Sequence, residues 1–154
     1  MAHRVLICGD RHWKNEQVIR DFLALLHPET TCVIQGGAPG ADSIAAKLAR
    51  ERGLSVVTHE AEWNRYGRSA EPIRNRKMIA DNPELVIGFH DNIFESKETK
   101  DMIGVSRLKT IPYMVINSSG VIYQYGFLQD NWIDKLDKSE KLKFKNGMFF
   151  EDKT

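Results

Sequence analysis

The chain has 154 residues, 42% of them hydrophobic and 28% charged, and its 22 basic and 21 acidic side chains leave a formal net charge of +1. This composition predicts one globular domain, and it argues against a polycationic protein, so nucleic acid would have to be held by a local basic patch. The apolar run near the N-terminus is too short for a signal peptide or a membrane span. We therefore expect a cytoplasmic protein with no membrane partner.

The first part of the chain alternates short apolar runs with helical patterns. We predict strands over 4–8, 31–35 and 54–58, because these runs are apolar and rich in β-branched residues. Helices are predicted over 15–26 and 41–52, with Asn15 as the N-cap of the first and Gly53 at the end of the second. Such alternation is typical of right-handed βαβ units in a parallel sheet with helices on both faces.

The same alternation continues as far as residue 117. The pattern predicts a loop over 59–70, a helix over 71–81, a strand over 83–89, a polar loop over 90–97, a helix over 98–108 and a strand over 111–117. The predicted fold class is therefore α/β, a doubly wound parallel sheet of about five strands.

The last part of the chain, residues 118–154, has a different character. The run VIYQYGF indicates an edge strand, and KLKFKNGMFFED places an Asn-Gly turn between two alternating runs, which predicts a β-hairpin. The segment has too few large apolar side chains to fold alone. We therefore predict a ligand-binding domain over 1–117, with residues 118–154 as a β-rich appendage of that same domain.

A glycine-rich turn, QGGAPGAD over residues 35–42, separates the second strand from the second helix. Its glycines allow positive φ and close approach of a ligand, and the following helix would direct free N–H groups at an anion. The turn matches neither GxxxxGK[ST] nor a GxGxxG that follows the first strand, so a purely structural turn remains an alternative. Asp42 would either cap the helix or contact ribose hydroxyls.

Loops that follow parallel strands meet at one edge of the sheet. If the first and fourth strands flank the point where strand order reverses, Gly9, Gly37 and residues 96–99 line one cleft. The segment 65–77 brings five basic residues against one acid, and Arg74 and Lys77 would share a helix face with Arg11 opposite. Such a fork could hold a phosphate, although a solvated helix face is the alternative. Trp63 and Tyr66 are placed either to stack on a base or to close the sheet edge.

Three ordered motifs, GDRHW (9–13), QGGAPGADSIAAKLARERGL (35–54) and WNRYGRSAEPIRNRKM (63–78), resemble the YspA and YpsA-related branch of the SLOG superfamily over residues 4–117. The resemblance implies a Rossmann-like fold that binds a nucleotide or a nucleotide-derived phosphorylated ligand. The ligand-binding residues that we predict with this resemblance are Gly9, Asp10, Arg11, Gly36, Gly37, Ala38, Gly40, Ala41, Asp42, Arg74, Asn75 and Thr99.

The same superfamily contains the LOG phosphoribohydrolases and the DprA fold, which imply two alternative functions: N-glycosidic hydrolysis of nucleoside 5′-monophosphates, and binding of single-stranded DNA. The loop HDNIFESKETKDM departs from the LOG pattern, because it lacks the glycine-rich turn and has Met102 in the position of the LOG glutamate. Glu98 and Asp101 are the candidate catalytic substitutes. LOG-like relatives also imply a homo-oligomer.

The histidines and cysteines lack the spacing of a metal site, so we predict neither a metal nor a cofactor.

Overall fold

The computed structural model describes residues 3–26 and 30–128. The strands are β1 (His3–Gly9), β2 (Thr30–Gln35), β3 (Ser55–Thr58), β4 (Leu85–Phe89), β5 (Tyr113–Ile116) and β6 (Ile122–Gly126). The helices are α1 (Glu16–Leu25), α2 (Ala41–Glu51), α3 (Trp63–Tyr66), α4 (Ala70–Ala80) and α5 (Lys97–Leu108), with short 3₁₀ turns at Gly67–Ser69 and Ile93–Glu95.

The six strands form one sheet in the order β3-β2-β1-β4-β5-β6. The first five strands are parallel, and β6 pairs antiparallel with β5. Strand order reverses between β1 and β4, which is where an open α/β sheet forms its ligand crevice. The predicted Rossmann-like α/β class is confirmed, and so is the strand pair predicted to flank the switch point.

Both faces of the sheet are covered by helices, which explains why β1 is continuously apolar. Val5 and Ile7 pack in a core with α1 and α2, whereas Leu6 and Cys8 pack in a second core with α4 and α5. All four side chains are at most 1% exposed. An alternating apolar and polar strand would leave one of these two layers without a core.

Element boundaries follow local chemistry closely. Asn15 caps α1 as predicted, since its Oδ1 accepts a hydrogen bond from the amide of Val18 at 3.3 Å. The predicted loop over 59–70 is wrong in part, because it contains α3 and a 3₁₀ turn. Neither piece buries a residue, so no apolar periodicity was present to indicate a helix. The predicted edge strand is β6, while the hairpin predicted around the Asn-Gly turn lies outside the described residues.

Among the described residues, no helix has the length and apolar character needed to cross a bilayer.

Candidate functional site

A cleft of about 230 Å³ opens at the carboxyl ends of the parallel strands. Its walls come from the segments that follow β1, β2 and β3 and from the beginnings of α4 and α5. The lining residues are Arg11, Gly36, Gly37, Ala38, Pro39, Glu60, Ala61, Trp63, Glu71, Arg74 and Glu98. The cleft therefore lies where the switch in strand order predicts a ligand site.

The glycine turn is locked against the loop that follows β1. Gly37 and Gly40 have φ of +72° and +76°, a region that L side chains rarely adopt. A Cβ at Gly40 would lie 2.3 Å from the carbonyl oxygen of Asp10 and 2.5 Å from that of Arg11. The amide of Ala41 donates to the same Asp10 carbonyl at 3.0 Å. Glycine at position 40 is thus required for these two loops to touch.

Asp42 organises the turn rather than capping α2. Its Oδ2 accepts hydrogen bonds from the amides of Gly36 at 3.0 Å and Ala38 at 3.3 Å, while its buried Oδ1 has no hydrogen-bond partner among the described residues. The N-cap of α2 is Gly40, which makes no side-chain bond. Burial raises the pKa of Asp42 to about 6, against the opposing field of Arg74.

Arg74 on α4 joins three parts of the site. Its guanidinium is 3% exposed, and its Nη1 donates to the carbonyl oxygen of Gly36 at 2.9 Å. Its Nη2 is ion-paired with Glu98 and lies 3.8 Å from Glu71, and its Nε donates to Asn75 at 3.1 Å. All three nitrogens of this guanidinium are therefore already engaged by the protein.

The predicted fork of Arg74, Lys77 and Arg11 does not form. Lys77 is exposed, and its Nζ lies 3.4 Å from the Glu62 carboxylate instead of facing the cleft. Arg11 is also exposed, it lines the cleft, and it makes no ion pair within the described part of the chain. Arg11 is the cation of this site that a ligand can engage.

The beginning of α5 places two candidate acids differently. Glu98 lines the cleft, and burial, together with a hydrogen bond to Glu71, raises its pKa to about 8. Asp101 does not line the cleft and instead accepts a hydrogen bond from Asn75 at 2.9 Å. Asn75 also donates to the backbone oxygen of Glu98 at 3.3 Å, so it holds the start of α5 in place.

Two further predicted residues lie behind the cleft. A Cβ at Gly9 would be 2.3 Å from the carbonyl oxygen of Phe89 and 2.8 Å from Cβ of Ala41, so Gly9 allows β1, β4 and α2 to approach closely. Thr99 is completely buried, and within residues 3–26 and 30–128 its Oγ1 has no hydrogen-bond partner. Its methyl group faces Gly88, whose added Cβ would lie 3.1 Å away.

The predicted site residues thus fall into two groups, those that line the cleft and those that lie behind it. Those that line the cleft are Arg11, Gly36, Gly37, Ala38, Arg74 and Glu98. Those that do not line it are Gly9, Asp10, Gly40, Ala41, Asp42, Asn75, Thr99 and Asp101. Sequence reasoning missed four lining residues, Pro39, Glu60, Ala61 and Glu71. The position of Glu60 and Ala61 directly after β3 was the signal that could have identified these two.

No group of three or more His, Cys, Asp or Glu side chains with a metal-binding arrangement occurs in residues 3–26 and 30–128.

The fold and the cleft define a class: a Rossmann-like α/β domain with a glycine turn at its switch point. Residues 3–66 match the model of the YspA, cpYpsA-related SLOG family. The Gene 61 protein of Mycobacterium phage D29 is 38% identical over 94 residues, which cover 56% of this chain and 75% of the phage protein. The chain belongs to the YspA, cpYpsA-related SLOG family, as its motifs predicted.

The fold is also similar to that of a larger solved structure. DNA processing protein A (DprA) from Streptococcus pneumoniae superposes with a TM-score of 0.60 at 15% sequence identity, over 74% of this chain. The matched region spans 50% of the DprA chain, and at this identity the likeness shows the fold alone. The family match ends at residue 66, so Arg74 and Glu98 lie beyond it.

Proposed function

We propose that this protein binds a nucleotide or a nucleotide-derived phosphorylated ligand in the switch-point cleft. The observation that carries the proposal is that the exposed, unpaired Arg11 and the glycine turn before α2 line the same cleft. An exposed arginine beside a glycine turn that precedes a helix is a common arrangement for binding a phosphate group. Family membership and the DprA-like fold both support a ligand of the nucleotide or nucleic-acid class.

The hydrogen bonds of the turn favour one position for the phosphate. The amides of Gly36 and Ala38 donate to Asp42, and that of Gly37 donates to Gln35 at 2.6 Å. The amide of Ala41, the first of α2, donates to Asp10, so these amides are all satisfied within the protein. The phosphate is therefore expected at Arg11, beside the part of the glycine turn that lines the cleft.

The size of the cleft and one exposed aromatic ring suggest where a base would lie. A volume of about 230 Å³ is below the roughly 300–1,000 Å³ of sites that enclose a whole drug-sized ligand. Trp63 lines the cleft and is 48% exposed. In this proposal the cleft encloses the ribose phosphate, and the base stacks on the indole ring at the rim.

A binding screen tests the proposal. Calorimetry and thermal shift with ribonucleoside mono-, di- and triphosphates, NAD fragments and cyclic nucleotides should identify at least one ligand of the wild type. Arg11→Ala should weaken that ligand about tenfold or more, because it removes a charge-assisted hydrogen bond. Arg50→Ala, an exposed change at the other end of α2, should leave affinity unchanged.

The proposed stacking of the base on Trp63 is tested by a second pair of variants. Trp63→Ala should weaken binding, whereas Tyr125→Ala, which removes a 62% exposed ring from β6, should not. Binding that is indifferent to both Arg11 and Trp63 would place the ligand elsewhere. The absence of any ligand in the screen would refute the proposal.

One observation favours N-glycosidic hydrolysis as a second candidate function. Glu98 lines the cleft, where its carboxylate, ion-paired with Arg74, is placed to stabilise the positive charge that develops on the sugar during N-glycosidic cleavage. Release of free base from nucleoside monophosphates, followed by chromatography, would be abolished in Glu98→Gln. Asp101→Asn should retain release, because Asp101 does not line the cleft. A wild type that binds a monophosphate and releases no base would be a binding protein only.

Binding of single-stranded DNA is a third candidate, supported by the basic residues of the segment 65–77. The aromatic ring of this segment, Tyr66, already makes cation–π contacts, since Arg65 and Lys77 lie over it at 5.1 and 5.8 Å from the ring centroid. Trp63 would then supply the stacking. A steep fall of oligonucleotide affinity with salt would support this function, and no retention on DNA would exclude it.

A further inference from the structure

The charged groups that line the cleft are mostly acidic. Arg11 and Arg74 are the cations, and Glu60, Glu71 and Glu98 are the carboxyl groups. Arg74 is ion-paired with Glu98 and bound to the backbone, so it contributes no free positive charge. Arg11 remains as the available countercharge for a ligand.

Glu60 has a defined place beside the glycine turn. A Cβ at Gly37 would lie 2.8 Å from Cγ of Glu60 and 3.3 Å from its Oε1, so the Glu60 side chain packs against Gly37. The preceding residue is anchored, since the amide of His59 donates to the carbonyl oxygen of Gln35 at 2.9 Å. Glu60 itself is exposed and makes no ion pair among the described residues. Its negative charge therefore faces the cleft without compensation.

We infer that Glu60 is a specificity-determining residue that restricts the ligand to a single phosphate group and rejects di- and triphosphates. The inference rests on the proposed nucleotide-binding function. A first phosphate is balanced by Arg11, which lines the cleft. A second phosphate adds negative charge for which the lining offers no free cation and which the Glu60 carboxylate repels. Specificity then comes from repulsion of the wrong ligand as well as from attraction of the right one.

The cost of each extra phosphate follows from Coulomb's law. At the effective dielectric of about 20 typical of a protein surface, an uncompensated pair of like charges within about 12 Å weakens affinity by at least about tenfold. The wild type should thus bind a nucleoside monophosphate about tenfold more tightly than the diphosphate of the same base. Added salt should narrow this ratio, because the repulsion is screened.

The test is calorimetric titration of the wild type, Glu60→Gln and Glu60→Lys with the 5′-mono-, di- and triphosphates of adenosine, guanosine, cytidine and uridine. A chelator is present so that no divalent cation masks phosphate charge. Glu60→Gln should reduce the preference for monophosphate severalfold, and Glu60→Lys should invert it. The matched control is Glu62→Gln, an exposed carboxylate two residues away that does not line the cleft and should retain the wild-type ratio.

The outcomes separate the inference from the function on which it rests. A wild type that binds monophosphates but binds triphosphates equally well or better overturns the inference alone. If Glu60→Gln and Glu60→Lys retain the wild-type preference for monophosphates, the inference about Glu60 is also overturned. Failure of all twelve nucleotides to bind the wild type overturns the inference together with nucleotide binding. Because the Glu60 variants are expected to gain affinity for diphosphates, impaired folding cannot imitate the expected result.

Discussion

The guanidinium of Arg74 donates to the carbonyl oxygen of Gly36 at 2.9 Å, which ties α4 to the glycine turn across 38 positions of sequence. A Cβ at Gly36 would lie 2.2 Å from Nη1 of that guanidinium and 2.7 Å from its Cζ. The glycine is therefore required by a buried arginine, independently of any ligand. The same arginine that holds the glycine turn in place also forms the buried ion pair with Glu98.

Gly36→Ala should destabilise the protein by about 1–3 kcal/mol, because the new methyl group forces Arg74 and Asp42 from their positions. Gly104→Ala is the control, since a Cβ there meets nothing within 4 Å and lies inside α5. The control should be neutral or stabilising by up to about 1 kcal/mol. Urea denaturation measures the stability of both variants. Equal stability of the two would contradict the close contact between Gly36 and Arg74.

Arg74→Met should cost about 3–5 kcal/mol, because it leaves the Glu98 carboxyl and the Gly36 carbonyl without their partner in a buried site. Arg76→Ala, an exposed change on the same helix, should stay within about 0.5 kcal/mol of the wild type. In a double-mutant cycle with Glu98→Gln the losses should be less than additive. Full additivity would indicate that the two side chains do not interact.

Asp42→Asn should remove part of the pH dependence of stability. The folded pKa of Asp42, about 6, is raised above the ordinary value of 3.8, so its contribution is fully present below pH 3.8 and is lost as pH rises through 6. The loss is on the order of 3 kcal/mol, since one pKa unit corresponds to about 1.4 kcal/mol. Asparagine keeps an acceptor for the Gly36 and Ala38 amides.

Denaturant titrations at pH 4 and pH 7 give the measurement. Relative to the wild type, Asp42→Asn should gain stability on going from pH 4 to pH 7. An equal difference in the free energy of unfolding between the two proteins at both pH values would show that the pKa of Asp42 is not raised by folding.

Thr99→Val should stabilise the protein by about 1 kcal/mol, because the buried Thr99 hydroxyl has no partner in the described part of the chain and valine has nearly the same shape. Thr58→Val provides the contrast. The Thr58 hydroxyl accepts a hydrogen bond from the side-chain amide of Gln35, so its removal should destabilise by about 0.5–1.5 kcal/mol. Thermal denaturation of both variants tests the pair, and a loss of stability in Thr99→Val would mean that its hydroxyl is bonded.

The elements of this fold are determined by patterns that lie within a few residues of one another. A continuous apolar run specifies β1 as a doubly covered strand, and an Asn15 cap specifies where α1 begins, since strand burial and helix capping are read from neighbouring residues. Glycines with positive φ specify the turn before α2 in the same way. The parallel sheet and the position of the cleft follow from the alternation of these elements.

Only the tertiary structure decided which charged side chains are buried in ion pairs and which remain exposed in the cleft. Arg74 and Glu98 are 24 positions apart, and nothing in their local sequence distinguishes a buried ion pair from two solvated charges. Glu60 packs against Gly37 because β2 and β3 pair in the register that places Thr58 beside Gln35. Electrostatic function depends on distances and burial across the fold, whereas secondary structure depends on neighbours along the chain. The sequence alone therefore determined the scaffold and the glycine turn, and the packing of α4 and α5 decided which charges remain for a ligand.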